Sequence, residues 1–121
     1  MATPKESLEK LSGLDGYVGS CIVDSNSGMM LAAHGGNSSL NLEVAAAGNT
    51  EVVRAKRATM KSLGLDDSIE DILITLNKQY HLIRLMTGRD GLFIYLVLDK
   101  ARANLAMGRF QLADIEKNMT F

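Results

Sequence analysis

The stretch Leu40–Leu63, LNLEVAAAGNTEVVRAKRATMKSL, decides how this chain of 121 residues folds. It has no proline, it is rich in residues that favour helix, and strand-like runs lie on both sides of it. The pattern therefore predicts a central helix. At about 100° per residue, this helix shows three faces, whereas a helix that packs on a single sheet needs only two.

The three faces differ in chemistry. The apolar face consists of Leu42, Ala45, Ala46, Val52, Val53, Met60 and Leu63. The polar face is mostly basic and consists of Arg54, Arg57 and Lys61, with Glu43 and Thr50. The third face is a stripe of small residues, Gly48, Ala55 and Thr59, flanked by Ala47, Ala58 and Ser62.

Gly48 calls for an explanation, because glycine inside a helix costs roughly 1 kcal/mol relative to alanine. It is either a tolerated surface glycine or the place where a second helix approaches closely. The second interpretation, which we favour, makes the chain a homodimer. The expected interface residues on this helix are Gly48, Val52, Ala55, Thr59 and Ser62.

Composition limits the possible functions. The formal charge is −1 and charged residues make up 22% of the chain, which argues against a nucleic-acid binder. The single cysteine, Cys21, cannot form an intrachain disulfide. The N-terminus is too polar for a signal peptide, and the longest apolar run, Leu92–Leu98, is too short to span a bilayer. We therefore expect one soluble, cytoplasmic domain over residues 1–121, without membrane insertion.

Caps, turns and apolar runs predict the order α-β-β-α-β-β-β-α. The first helix is expected over Pro4–Ser12, with Thr3 and Glu6 as a capping box and Gly13 as its stop. The central helix should stop at Gly64, and the last helix should cover Lys100–Asn118 with Asp99 as its cap. The expected strands are Tyr17–Asp24, Gly28–His34, Ile69–Leu76, Gln79–Met86 and Leu92–Asp99.

Five strands with short links predict an antiparallel sheet. The last strand is the most apolar and suits the centre of the sheet. The central helix is about 33–36 Å long, and four strand spacings span only about 19 Å, so it can cross one face obliquely. The terminal helices would cover the other face, and strands 2 and 3 would be the open edges.

This arrangement resembles the Roadblock/dynein-light-chain family from about Ser7 to Met119. The motifs that carry the resemblance are the Gly19 strand with its Gly28-Met29-Met30-Leu31 hairpin, and Phe93-Ile94-Tyr95-Leu96-Val97-Leu98-Asp99 followed by Ala103-Asn104-Leu105-Ala106-Met107-Gly108-Arg109.

The resemblance implies a profilin-like fold with sheet order 2-1-5-4-3. It also implies a dimer in which the central helices lie side by side and the third strands pair, which adds Ile72 and Ile74 to the expected interface. Family members lack catalytic chemistry of their own, and prokaryotic ones are associated with Ras-like GTPases in polarity, motility or signalling. We therefore expect a non-enzymatic GTPase regulator.

The basic residues Arg54, Arg57 and Lys61 are either a solvated face or a docking strip for an acidic partner, expected on the side of the helix turned away from the sheet. Met107 and Phe110 lie off the main apolar stripe of the last helix. They either pack against the first helix or form an exposed patch for a partner.

We expect no catalytic residue, no cofactor and no metal, since His34 and His81 have no third ligand at a suitable spacing. Two alternatives to GTPase regulation stay open. One is a small-ligand sensor with a pocket between helix and sheet lined by Tyr80, His81 and Arg84. The other is a structural scaffold subunit.

Overall fold

A computed structural model describes residues 2–121, and this part of the chain contains three helices and five strands. Their bounds are α1 Pro4–Leu11, β1 Tyr17–Asp24, β2 Met29–Gly35, α2 Leu42–Ser62, β3 Asp71–Thr75, β4 Gln79–Leu85, β5 Leu92–Asp99 and α3 Leu105–Asn118.

The strands form one antiparallel sheet in the order β2-β1-β5-β4-β3. The predicted fold class is confirmed: α2 packs on one face of the sheet, and α1 and α3 pack on the other. We call these the α2 side and the α1/α3 side. β5 lies at the centre, and β2 and β3 are the edges.

The alternation of side chains along β5 separates two apolar cores. Ile94, Leu96 and Leu98 belong to the core on the α1/α3 side, whereas the residues between them belong to the core on the α2 side. Because both faces of β5 are buried, its sequence is apolar throughout rather than alternating.

The ends of α2 follow from local chemistry. The Asn41 side chain accepts hydrogen bonds from the amides of Glu43 and Val44, at 3.0 and 3.2 Å. At the other end, Gly64 has a φ of 70°, and the Leu65 amide donates to the Met60 carbonyl at 3.0 Å. This is the predicted Schellman stop.

The same stop predicted at Gly13 is wrong, because the glycine with a positive φ in this turn is Gly16. The amides of Gly13 and Leu14 instead donate to carbonyls three residues earlier, at 3.2 and 3.0 Å. α1 therefore ends in a tightened turn rather than in a left-handed cap.

The last helix begins five residues later than predicted, and Asp99 is not its cap. The Asp99 carbonyl accepts from the amides of Arg102 and Ala103, which turns the chain out of the sheet. The Asn104 side chain then caps α3 at the Met107 amide, at 3.1 Å. The bend is needed because β5 ends within the sheet while α3 lies on top of it.

Candidate interaction surfaces

The small stripe of α2 points away from the sheet. The residues of α2 that are buried against the sheet are Leu42, Ala46, Thr50 and Val53. Gly48, Ala55 and Thr59 lie on the opposite side of the helix and are exposed, as is Ser62. A Cβ atom built on Gly48 would have no other atom within 4 Å, so Gly48 faces open space in the single chain.

α2 packs mainly over β1 and β2. It therefore leaves the edge strand β3 largely uncovered on the α2 side of the sheet. Ile72 and Ile74 of β3 are half-buried. Ile72 packs against the core on the α2 side, and Ile74 lies on the same face of the strand. The structure thus brings Ile72 and Ile74 to the same side of the sheet as the small stripe and Val52, which is 36% exposed.

The basic residues do not point away from the sheet as expected; they lie on one flank of α2. The reason is that the small stripe occupies the outward side. The guanidinium of Arg54 reaches the β1–β2 turn, where it donates to the carbonyls of Ser25 and Asn26 at 2.9 and 3.1 Å, and it also pairs with Glu51 at 2.9 Å. Arg54 is therefore a clamp between helix and turn.

Arg57 and Lys61 line a groove of about 480 Å³ that we call the α2–β4 groove. Its lining consists of Arg57, Met60 and Lys61 of α2, Leu65, Asp67, Ser68 and Ile69 of the α2–β3 linker, and Leu85, Met86 and Thr87 at the end of β4. Within residues 2–121, neither cation has a carboxylate within 4.0 Å. Sequence reasoning missed this groove because three separate segments build it.

The ligand pocket expected around Tyr80, His81 and Arg84 is wrong, because neighbouring residues of a strand face opposite sides. Tyr80 packs on the α1/α3 side, where Arg84 also lies and donates to the Glu116 carboxylate of α3 at 2.8 Å. His81 lies on the α2 side, beside Tyr95. These three side chains cannot line one cavity.

His81 forms a hydrogen-bonded chain with its neighbours. Its Nε2 lies 2.8 Å from Gln79 Oε1, and its Nδ1 lies 2.7 Å from the Tyr95 hydroxyl. An amide oxygen can only accept, so the proton belongs on Nε2, and the Tyr95 hydroxyl donates to Nδ1. Burial lowers the pKa of His81 and raises the pKa of Tyr95. These shifts favour a neutral pair, which suits a structural role.

The remaining candidates for reactive groups are the Cys21 thiol and the side chains that could bind a metal ion. Burial raises the pKa of the Cys21 thiol to about 12, so Cys21 is not a poised nucleophile. Among residues 2–121, no three His, Cys, Asp or Glu side chains are grouped so as to hold a metal ion. The same part of the chain has no helix that combines the length and the hydropathy of a membrane span.

Met107 and Phe110 of α3 are 46% and 63% exposed. Of the two interpretations, the exposed patch describes Phe110, whereas Met107 is exposed but also lines a groove beside Lys10 and Leu14 at the end of α1. The reason is that α3 approaches the sheet through Gly108, where an added Cβ would lie 2.9 Å from Leu98 Cδ1. That orientation turns the neighbouring Met107 and Phe110 outward.

No protein-family model matches this sequence, and no curated protein matches it. Solved structures do match it. The Roadblock/LC7 domain from Streptomyces avermitilis has a TM-score of 0.81 at 12% identity, over 97% of this chain and 94% of that one. The gliding protein MglB from Thermus thermophilus has a TM-score of 0.76 at 18% identity, over 93% and 82%. A structure described as MglB with a tetrameric arrangement has a TM-score of 0.79 at 18% identity, over 93% and 82%.

Proposed function

We propose that this chain, which has the Roadblock fold, is a non-enzymatic homodimeric interaction module that regulates a small Ras-like GTPase. One observation carries the proposal: the exposed small stripe of α2 lies on the same side of the sheet as the uncovered β3 edge. A module of this kind needs a surface for a second copy and a surface for a partner, and α2 offers both.

The dimer would close the open β3 edge and would use the small stripe of α2 as a helix contact. An open strand edge is a site for uncontrolled pairing, and β3–β3 pairing across a two-fold axis would close it. The stripe of Gly48, Ala55 and Thr59 would let two α2 helices approach closely, since small side chains allow short distances between helix axes. The tetrameric arrangement described for one structural neighbour supports self-association.

The GTPase partner is inferred from the Roadblock resemblance and fits the charge on the flank of α2. Arg57 and Lys61 are exposed cations, and a two-fold dimer would present them twice. Such cations speed the encounter with an acidic surface and select for it. Regulation requires only that the dimer contacts the GTP-bound and GDP-bound states of the partner differently.

The experiment measures association rates between the purified chain and each Ras-like GTPase of the same cell, loaded with GDP or with a GTP analogue. Arg57→Glu with Lys61→Glu should slow association about tenfold at low salt and less at high salt. Arg54 is left intact because reversing its charge would also break the clamp to the β1–β2 turn.

Lys56→Glu is the matched control, because Lys56 is an exposed cation of α2 outside the α2–β4 groove. It should slow association less than the paired substitution. If no GTPase of that cell binds in either nucleotide state, the proposal is wrong.

The exposed Met107 and Phe110 favour a second candidate function, a scaffold subunit. They lie on the α1/α3 side, so a partner bound there would not compete with one bound on the α2 side. A scaffold should hold two partners at once, and Phe110→Ser should remove only one of them from the assembled complex.

A further inference from the structure

We propose that the α2–β4 groove is a docking site for an acidic, apolar peptide segment of a partner protein. The groove has a basic wall on α2, a second wall formed by the irregular α2–β3 linker, and an apolar floor. Each of these three parts selects one property of the occupant.

The basic wall selects a carboxylate. Arg57 and Lys61 are four residues apart on α2, so they are neighbours on one flank of the helix, where two like charges repel each other. Arg54, one turn earlier, is occupied by Glu51 and two backbone carbonyls, whereas Arg57 and Lys61 have no such partner within residues 2–121. A carboxylate between them would replace repulsion by attraction.

The linker wall selects an extended backbone. Residues 65–70 are neither helix nor strand. Within the described chain, the backbone groups of Asp66 and Ile69 make no hydrogen bond to another residue. The free N–H and C=O groups of these two residues can pair with the backbone of an extended peptide, as the groups of an open sheet edge do. The Asp67 carboxylate on this wall can accept from an N–H of the occupant and keeps a second anion away from the linker.

The floor selects aliphatic side chains. Leu85 is 8% exposed and belongs to the core on the α2 side, so it forms the base, while Ile69 is half-buried and Leu65 is 52% exposed at the rim. Along an extended peptide, successive side chains point in opposite directions. An aliphatic residue on the floor therefore turns its two neighbours toward the mouth of the groove, where the long side chains of Arg57 and Lys61 are exposed. The preferred sequence alternates leucine-like residues with aspartate or glutamate.

The groove stays accessible in the proposed dimer. Arg57 is nine residues from Gly48, which places the two residues on opposite sides of α2 at 100° per residue. A second helix on the small stripe would leave the flank of Arg57 and Lys61 free. The inference requires only a peptide segment, so it does not depend on the partner being a GTPase.

The test is a selection of random seven-residue peptides, displayed on phage, against the full chain. The enriched peptides should carry aspartate or glutamate within two positions of an aliphatic residue. A synthetic copy of an enriched peptide should bind about tenfold more weakly to the Arg57→Gln, Lys61→Gln variant, since one lost charged contact is worth about that factor. Leu65→Ser, at an exposed site that does not endanger folding, should also weaken binding.

Lys56→Gln is the matched control and should bind the peptide like the unmodified chain. Backbone chemical-shift changes on peptide addition should fall on residues 57–70 and 85–87. The inference is overturned if the enriched peptides show no acidic preference, if the paired variant binds them equally well, or if the shifts fall around Met107 and Phe110. GTPase binding without acidic-peptide binding would reject this inference alone, and the reverse result would reject the GTPase proposal alone.

Discussion

At the scale of single residues, the hydrogen bond between His81 and Tyr95 depends on the neutral imidazole. Tyr95 is 1% exposed and donates its hydroxyl proton to Nδ1 of His81. Protonation of Nδ1 would force the tyrosine to turn from donor into acceptor. Burial of His81 opposes the same protonation, which is why its pKa lies below the ordinary value.

This pKa shift predicts a loss of stability in mild acid. The unfolded state takes up a proton at the ordinary histidine pKa, about 6.5, and the folded state does so only at a lower pH. The stabilisation is therefore complete above about pH 6.5 and is lost as the pH falls toward the lower pKa of the folded state. Urea unfolding between pH 7 and pH 5 should show a falling free energy of unfolding.

His81→Gln removes the titrating group and keeps a polar side chain at the site. The variant should be less stable at pH 7, but its free energy of unfolding should change less between pH 7 and pH 5. Equal slopes for the two proteins over this range would contradict the assignment.

At the scale of elements, α2 is connected to the rest of the molecule at three points along its length. Asn41 caps its start, Gly64 ends it, and Arg54 ties its middle to the β1–β2 turn. The turn is itself closed by the Gly28 amide, which donates to the Asp24 carbonyl at 2.7 Å. The clamp therefore couples the orientation of the helix to the hairpin.

Arg54→Met keeps the apolar stem of the side chain but removes its hydrogen bonds to Ser25, Asn26 and Glu51. Because the side chain is 48% exposed, we expect a loss of only about 1 kcal/mol in the free energy of unfolding. Amide exchange at Gly28 should become faster as the turn loosens. Denaturant unfolding and hydrogen-exchange spectra measure the two effects.

Arg57→Met is the matched control, since Arg57 has no ion-pair partner within residues 2–121. Its free energy of unfolding should stay within about 0.5 kcal/mol of the unmodified chain. If both variants lose the same stability, the contact of Arg54 with the turn contributes nothing specific.

At the scale of the whole molecule, helices cover the two sides of the sheet to different extents. On the α1/α3 side, two helices cover the core, and the Arg109 guanidinium ties α3 to β3 through Asp71 at 2.8 Å. On the α2 side, a single helix leaves β3 half-covered. This asymmetry is the reason why we propose that a second copy would bind on the α2 side.

Self-association through this side predicts a melting temperature that rises with protein concentration, because association stabilises the folded state by mass action. Gly48→Leu should remove the dependence, since a large side chain on the stripe separates the two helices. Differential scanning calorimetry over a hundredfold range of concentration measures the melting temperature, and sedimentation equilibrium measures the oligomeric state.

Ala106→Leu is the control for added volume, because Ala106 is exposed on α3, on the other side of the sheet. It should leave the concentration dependence unchanged. An unmodified chain that sediments as a monomer at tens of micromolar, roughly the range of a weak interface, would contradict the dimer.

Local chemistry in the sequence determined the elements of this protein. The capping box of Thr3 and Glu6, the stop at Gly64 and the bounds of β1 and β5 were all predictable, because each depends on residues close together in the chain. The apolar pattern and the short links already indicated that the last strand is central and that strands 2 and 3 are edges, and the Roadblock resemblance supplied the full sheet order. The late start of α3 could not be predicted from the sequence, because the preceding turn depends on where β5 leaves the sheet.

Tertiary structure alone decided what each surface can do. It separated Arg54, whose guanidinium is held by the β1–β2 turn, from Arg57 and Lys61, although the three carry the same charge and share a helix. It also placed His81 and Arg84 on opposite sides of the sheet and built the α2–β4 groove from three distant segments. The physical reason is that a side chain's partners depend on which segments the packed core brings together, whereas local sequence specifies only the side chain's chemistry and its own backbone.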